Sequence, residues 1–472
     1  MSKKRNYLRK AGSVWTAVFL LACSVCVHTS ANAVETESAA EDGAWTDEAA
    51  VTINGTDYDL AHFNYYFQSW YDSFSGENAA MLPYMFDQSR SLKEQEYEDG
   101  RTWFDYFIDE ASVSMQQIVT LAEEAKKADY KLDKEAEEEI GRVLEAVSGF
   151  AGTLGMDADS YLEYFYGEGM DTEEFTGCLA DARLAEGYSG QVRDSFRPED
   201  ERIREYYEDH IRDFTTVKYE RFFARACAMG EEPAPEEMDE AKALAEEVLE
   251  KVQSGVSLKE ASQGLEDKGT YHSFNSADYI DGSVYGDWLF DASRSDGDCF
   301  LTEEANGWYV MVFHSRDEAD YPAVSILDAF FPVDETKGTV DEQLEASCLE
   351  AEAFEKEWEE KGADLDAFRL LARSVAEKSG TAAEYAALTK EMFSGSVNKW
   401  LFDPQRKSGD VSVLYAPDGF HVMYYAGEAQ PAWKVMAEEA LKAEAYSEWF
   451  DALMESSVLV RHDDVLEHAG GY

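Results

Sequence analysis

Apolar and polar positions follow two periods along this chain, and the period changes partway through. From Leu60, apolar residues step by three and four through Phe63, Phe67, Trp70 and Phe74, one face of a helix. A second helix is predicted from Thr102 to Ala128, with Phe104, Phe107, Ala111, Ile118 and Ala122 turned inward. Further helical segments follow at Lys134 to Phe150, Ser160 to Tyr166 and Thr172 to Phe196, the last opened by Asp171 ahead of two glutamates. Ahead of them, Val51-Thr52-Ile53-Asn54-Gly55 reads as a short strand and turn. Beyond residue 216 the pattern shifts to strands. Val217 to Ala226 and Val324 to Val333 are apolar runs, each leading into a helix. The first helix starts at Pro235 with Glu236 and Glu237, buries Met238, Ala241, Ala245, Val248 and Val252, and ends at Gly255. The second buries Leu344, Cys348, Ala351, Phe354 and Trp358 and stops at Lys361-Gly362, and another runs from Leu365 to Lys378. From Trp433 to Ser456 a final helix aligns Met436, Ala440, Ala443, Tyr446, Phe450 and Leu453.

The strand-rich region contains one pattern twice. Residues 287–313 read DWLFDASRSDGDCFLTEEANGWYVMVF and residues 399–425 read KWLFDPQRKSGDVSVLYAPDGFHVMYY. Trp288, Leu289, Phe290, Asp291, Arg294, Gly297, Asp298, Gly307, Val310 and Met311 each recur 112 residues later, without a gap. A period of that length suits two copies of one domain rather than a solenoid. In each copy Trp-Leu-Phe-Asp buries aromatics at a helix end or turn, and Gly-Asp marks another turn. Asn306-Gly307 and Asp418-Gly419 then read as hairpin turns between two strands.

The second copy carries Gly409-Asp410-Val411-Ser412 and Gly419-Phe420-His421-Val422. These match the last turn and last strand of the parvulin-type peptidyl-prolyl isomerase domain, which the repeat resembles. The Val-Asn-Gly-like start, the aromatic helix after it and Tyr206-Tyr207-Glu208-Asp209-His210 resemble the N-terminal region of secreted SurA/PrsA-type foldases. The resemblance implies an α+β protein: a helical chaperone-like domain over 51–216, completed by a C-terminal helical tail over 430–472. Parvulin-like domains over 217–316 and 321–427 lie between them. The family works with paired histidines in the sheet, a nearby Asp or Cys, and an apolar rim. His421 stands at the second histidine position, where the first copy has Tyr309. Aligning Phe222-Phe223 with Phe330-Phe331 places Arg221 and Ala329 at the first histidine position, so neither copy carries the pair. The first copy is expected to be inactive, and any activity should depend on His421. The plainer reading of His421 is a packed sheet histidine, with a residual catalytic role as the alternative. Trp288, Phe290, Trp400 and Phe402 fit either a core or, with Phe330, an aromatic groove for peptide.

Composition narrows the setting. The first 33 residues hold five cations and no acid, then an apolar run from Val14 to Val27 and Ala31-Asn32-Ala33, the signature of a secretory signal peptide. Leu20-Leu21-Ala22-Cys23 also resembles a lipobox, so lipidation of Cys23 is the alternative to cleavage after Ala33. Residues 34–50 read as a flexible lead-in. The expected location is extracytoplasmic, either secreted or lipid-anchored to the outer face of the cytoplasmic membrane. Losing the five leader cations takes the formal net charge from −57 to −62. That charge argues against nucleic acid as a partner, because phosphate contacts need a basic surface. Cys178, Cys227, Cys299 and Cys348 lack metal or redox spacing. For Cys227 and Cys299, which share one copy, a disulfide and free thiols both remain open. No histidine pair has metal-ligand spacing, and no nucleophile elbow, P-loop or dinucleotide fingerprint is present, so no cofactor is expected. The leading reading is a foldase or chaperone for unfolded or nascent exported proteins, with weak or absent isomerase activity. The second is a non-catalytic secreted protein whose duplicated domains bind one fixed partner.

Overall fold

The computed structural model describes residues 48–471 apart from 229, 335, 337, 377–380, 391 and 394. The leader (1–33), Cys23 and nearly all of the 34–50 lead-in lie outside the described residues. The fold is mixed α and β, in two compact units. Among the described residues one unit holds 198–441, and the other holds 48–197 together with 442–471.

In the second of these units, strands β1 (Val51–Ile53) and β2 (Thr56–Tyr58) turn through Asn54 and Gly55, both at positive φ. Helix Leu60–Glu77 follows, its first turn capped by Asp59, which accepts from the His62 backbone N–H at 2.9 Å. A short ribbon, β3 (Glu96–Glu98) with β4 (Arg101–Thr102), leads into helix Trp103–Lys127. Thr102 and Asp105 form a reciprocal capping box at its start. Helices Lys134–Leu154, Ala158–Tyr166 and Thr172–Ser195 complete the set, and Asp171 caps the last. Phe63, Phe67, Phe107, Met115 and Phe175 are fully enclosed at the centre.

The 198–441 unit holds both repeats. Each is a four-stranded antiparallel sheet with the same order. In the first repeat β5 (Thr216–Arg225), β6 (Gly269–Ala277), β7 (Cys299–Glu304) and β8 (Gly307–Asp317) lie in the order β6-β5-β8-β7. In the second, β9 (Pro322–Pro332), β10 (Thr381–Leu388), β11 (Val411–Ala416) and β12 (Gly419–Pro431) lie in the order β10-β9-β12-β11. One face of each sheet packs on helices, Pro235–Gln253 in the first and Val340–Glu360 with Leu365–Ala376 in the second. The edge strands β6 and β10 do not follow from the hydrophobic pattern. Gly269–Ala277 and Thr381–Leu388 are mostly polar or small, and they pair because an apolar centre strand lies beside them.

The recurring residues build the same turn twice. Asp291 and Asp403 each accept from a backbone N–H two residues on, at 2.8 and 2.9 Å. Arg294 pairs with Asp298 at 3.4 Å and lies over Trp288, as Arg406 pairs with Asp410 at 3.2 Å and lies over Trp400. Gly297 and Gly409, both at positive φ, donate to Phe313 and Tyr425 carbonyls at 2.9 Å.

The centre strands correct one alignment. Tyr309 stands opposite Phe223, and His421 stands opposite Phe330. Phe223 therefore corresponds to Phe330, an offset of 107, and Arg221 corresponds to Asp328 rather than Ala329. A Cβ added at Gly307 or Gly419 would come within 2.2 Å of the Ala224 or Phe331 carbonyl, which repeats the same offset. A one-residue slip moves every side chain to the opposite face of a sheet. Ala329 accordingly lies among the residues that face the helices.

Helix Ala432–Ser456 contributes residues up to Leu441 to one unit and residues from Lys442 to the other. In the latter, Tyr446 and Phe450 are buried with the N-terminal helices, and β13 (Leu459–Arg461) pairs antiparallel with β1. Cys227 and Cys299 are free thiols, so no disulfide joins them, and Cys178 is a buried free thiol.

Candidate functional site

In the second repeat, the face of β9 and β12 away from the long helices brings Ile326, Asp328, Phe330, His421 and Met423 together. Strand alternation puts them there: Asp328 and Phe330 are two apart on β9, and His421 lies directly across from Phe330. His421 Nδ1 and Asp328 Oδ2 are 2.8 Å apart. The His421 ring lies 4.5 Å from the Phe330 ring and meets Phe393 edge-on at 5.5 Å. Tyr385, on β10, contacts Phe393 at 6.1 Å.

Asp328 is buried, and its Oδ1 has no hydrogen-bond partner. Burial pushes its carboxyl above the usual range, and the His421 hydrogen bond and charge oppose that only in part. With the carboxylate ionised and the imidazole neutral, Nδ1 of His421 donates to Asp328 and Nε2 is left as an acceptor. Among the described residues Nε2 has no partner. The buried atom left unsatisfied is Asp328 Oδ1, and such atoms are uncommon in a folded protein. The arrangement can bind an apolar segment against Phe330 and Phe393 while presenting one polar nitrogen to it.

Sequence reasoning singled out His421 and Phe330 but missed Asp328, Phe393 and Tyr385. Placing the histidine strand against β9 by its pairing, rather than by the Phe-Phe dipeptide, would have found Asp328. Trp400 and Phe402 border the same apolar cluster, where Trp400 carries Arg406 at 4.2 Å and Phe402 meets Tyr321 edge-on at 5.5 Å. Trp288 and Phe290 belong to the first repeat. Trp288 stacks on Phe300 at 4.9 Å, and Phe290 is buried against Tyr279.

The same face of the first repeat has different chemistry. Tyr309 replaces the histidine, and Arg221 replaces the acid. The Arg221 guanidinium donates to the Tyr285 hydroxyl at 2.8 Å and lies over Phe274 at 5.0 Å and Tyr309 at 5.4 Å. On the helix side, His314 lies between Glu220 at 3.2 Å and Asp296 at 3.1 Å. Among the described residues no group of three or more His, Cys, Asp or Glu side chains is arranged to hold a metal ion. No helix among them is long and apolar enough to cross a membrane.

No protein-family model and no curated protein matches the sequence. Among solved structures, the crystal structure of PrsA from Bacillus subtilis is similar at 15% identity, covering 61% of this chain and 94% of its own, with a TM-score of 0.16. A structure from work on PEB4 and Cj1289, two SurA-like chaperones of Campylobacter jejuni, is similar at 9% identity, covering 72% of this chain and 100% of its own, with a TM-score of 0.18.

Proposed function

We propose that this chain is an extracytoplasmic foldase or chaperone that binds unfolded exported polypeptides. Its peptidyl-prolyl isomerase activity is weak or absent, and any remnant belongs to the second repeat. The observation that carries this reading is the Asp328–His421 hydrogen bond set among Phe330 and Phe393 on a partly open sheet face. It offers part of what prolyl isomerisation needs, with one histidine in place of the pair. Rotation about the amide bond costs about 18–20 kcal/mol because resonance is lost, so a catalyst must hold the ring and stabilise a twisted amide. Phe330 and Phe393 offer the apolar surface. Nε2 of His421 offers the polar contact, and Asp328 acts as a positioning residue that fixes the imidazole.

A second feature supports binding of unfolded chains. Leu154, Tyr164 and Phe165, at the ends of two successive helices, are 61%, 72% and 46% exposed. The Tyr164 and Phe165 rings lie 5.4 Å apart, an exposed aromatic pair suited to contact with apolar segments.

The test pairs two assays on the full chain. Aggregation of an unfolded client should be suppressed by the wild type, by His421→Ala and by Asp328→Asn alike. Proline-peptide isomerisation should fall to background in His421→Ala, since one positioned group contributes about 10²–10⁴-fold. A rate that survives His421→Ala would overturn the catalytic assignment. Failure to suppress aggregation, together with tight binding of a single folded protein, would favour a dedicated interaction module.

A further inference from the structure

Among the described residues Arg221 pairs with no acid, in a chain of 98 acids and 41 lysines and arginines. It is half-buried, its Nε is shielded from solvent without a partner, and its hydrogen bond goes to the neutral Tyr285 hydroxyl. A guanidinium has five donors in a planar fork that matches a carboxylate, and burying it without one is costly. Aromatic faces offset part of that cost: Phe274 and Tyr309 flank the cation, and Phe223 lies 4.6 Å from Tyr309. None of these rings supplies an acceptor for the fork. Directly across from Arg221, on the edge strand β6, stands the exposed His272. The site thus combines an incompletely paired cation, half-buried rings and a neighbouring histidine on the face that carries Asp328 and His421 in the other repeat.

From this geometry we infer that the first repeat is a carboxylate-recognising peptide site: Arg221 receives an acidic side chain of an extended polypeptide whose neighbouring residues lie on Phe223, Phe274 and Tyr309. This rests on the polypeptide-binding reading and adds selectivity to it. The two repeats then divide the work on equivalent surfaces. The second grips an apolar, proline-bearing segment, and the first takes an acidic one. Because the whole chain is strongly acidic, long-range charge repels such a segment, so the preference must come from contact with Arg221 and survive at moderate salt.

The experiment uses the full chain and three short peptides of one aromatic-flanked sequence. One has blocked ends and a central Glu, one has blocked ends and Gln, and one has Gln and a free C-terminal carboxylate. Binding is measured by fluorescence anisotropy near physiological ionic strength. The blocked Glu peptide should bind about ten- to a hundredfold tighter than its Gln twin, the range for a charge-assisted hydrogen-bonded pair. Arg221→Met should erase that difference, with a thermal melt to verify folding. Arg221→Lys keeps the charge but loses the fork, so it should shrink the preference, and it decides the matter if the Met variant does not fold. Equal affinity for the Glu and Gln peptides overturns the proposal, as does tighter binding of the free-terminus peptide alone. A preference that persists in folded Arg221→Met overturns it too. If no peptide binds but aggregation is still suppressed, the carboxylate site fails and the chaperone reading stands; if neither is seen, both fail.

Discussion

Two side chains give the fold a dependence on pH, one through burial and one through hydrogen bonding. Burial raises the Asp328 carboxyl above its ordinary value, so the folded state binds that proton more tightly than the unfolded state does. Its contribution therefore favours folding below about pH 3.9, the free carboxylate value, and declines as pH rises through the raised value. Thermal melts across that window should show Asp328→Asn gaining on the wild type as pH rises. A gap that does not change with pH would show that burial leaves this carboxyl unshifted. His62 has the same sign for another reason. Its Nδ1 lies 3.3 Å from Asp59 and its Nε2 lies 3.0 Å from Glu174, and the Asp59 hydrogen bond leads in raising its pKa. That stabilisation is complete below about 6.5 and is lost as pH climbs through the raised folded value. Wild type should exceed His62→Gln in melting temperature at pH 6 by more than at pH 9. Neither partnership could be read from the chain. Asp59 is three residues from His62, but Glu174 is brought in by a distant helix, and Asp328 is 93 residues from His421.

At the scale of elements, the duplicated hairpins show which recurrences are structural. Gly419 adopts φ +156°, and an added Cβ would press to 2.2 Å from the Phe331 carbonyl and 2.9 Å from Pro332 Cα. These are backbone atoms of the paired centre strand, so relief requires moving β9 itself. Gly419→Ala should cost about 1–3 kcal/mol, the usual range for overpacking, read as a shift in denaturant midpoint. A similar loss in Gly307→Ala, set 2.2 Å from the Ala224 carbonyl, would show that both copies need the same approach. The hairpins were legible because Gly, Asp and Asn set turn chemistry locally. The edge strands were not, since their pairing depends on a neighbour far away in sequence. The register of β5 and β9 misled for a related reason. Phe222-Phe223 and Phe330-Phe331 look equivalent as dipeptides, but on a strand adjacent residues point to opposite faces.

For the whole molecule, the C-terminal segment is the decisive case. Tyr446, Phe450, Val465 and Leu466 are buried in the same core as Phe63 and Phe107, and β13 completes the sheet with β1. Each large apolar side chain contributes about 1.5–3 kcal/mol when buried, so together they rival the 5–15 kcal/mol margin of a typical domain. A chain ending at Leu441 should therefore lose cooperative unfolding of residues 48–197, seen as rapid limited proteolysis there. Unchanged protection of that segment would show that its core is complete without the tail. The sequence alone determined the helices with strong three- and four-residue stepping, the hairpins with Gly turns, and the duplication at 112 residues. Each rests on interactions within a few residues or on direct repetition of the chain. Tertiary structure decided that Asp328 meets His421 and that Arg221 sits among rings with no acid paired to it among the described residues. These depend on register and on contacts between residues far apart in the chain, and local propensity carries no information about either.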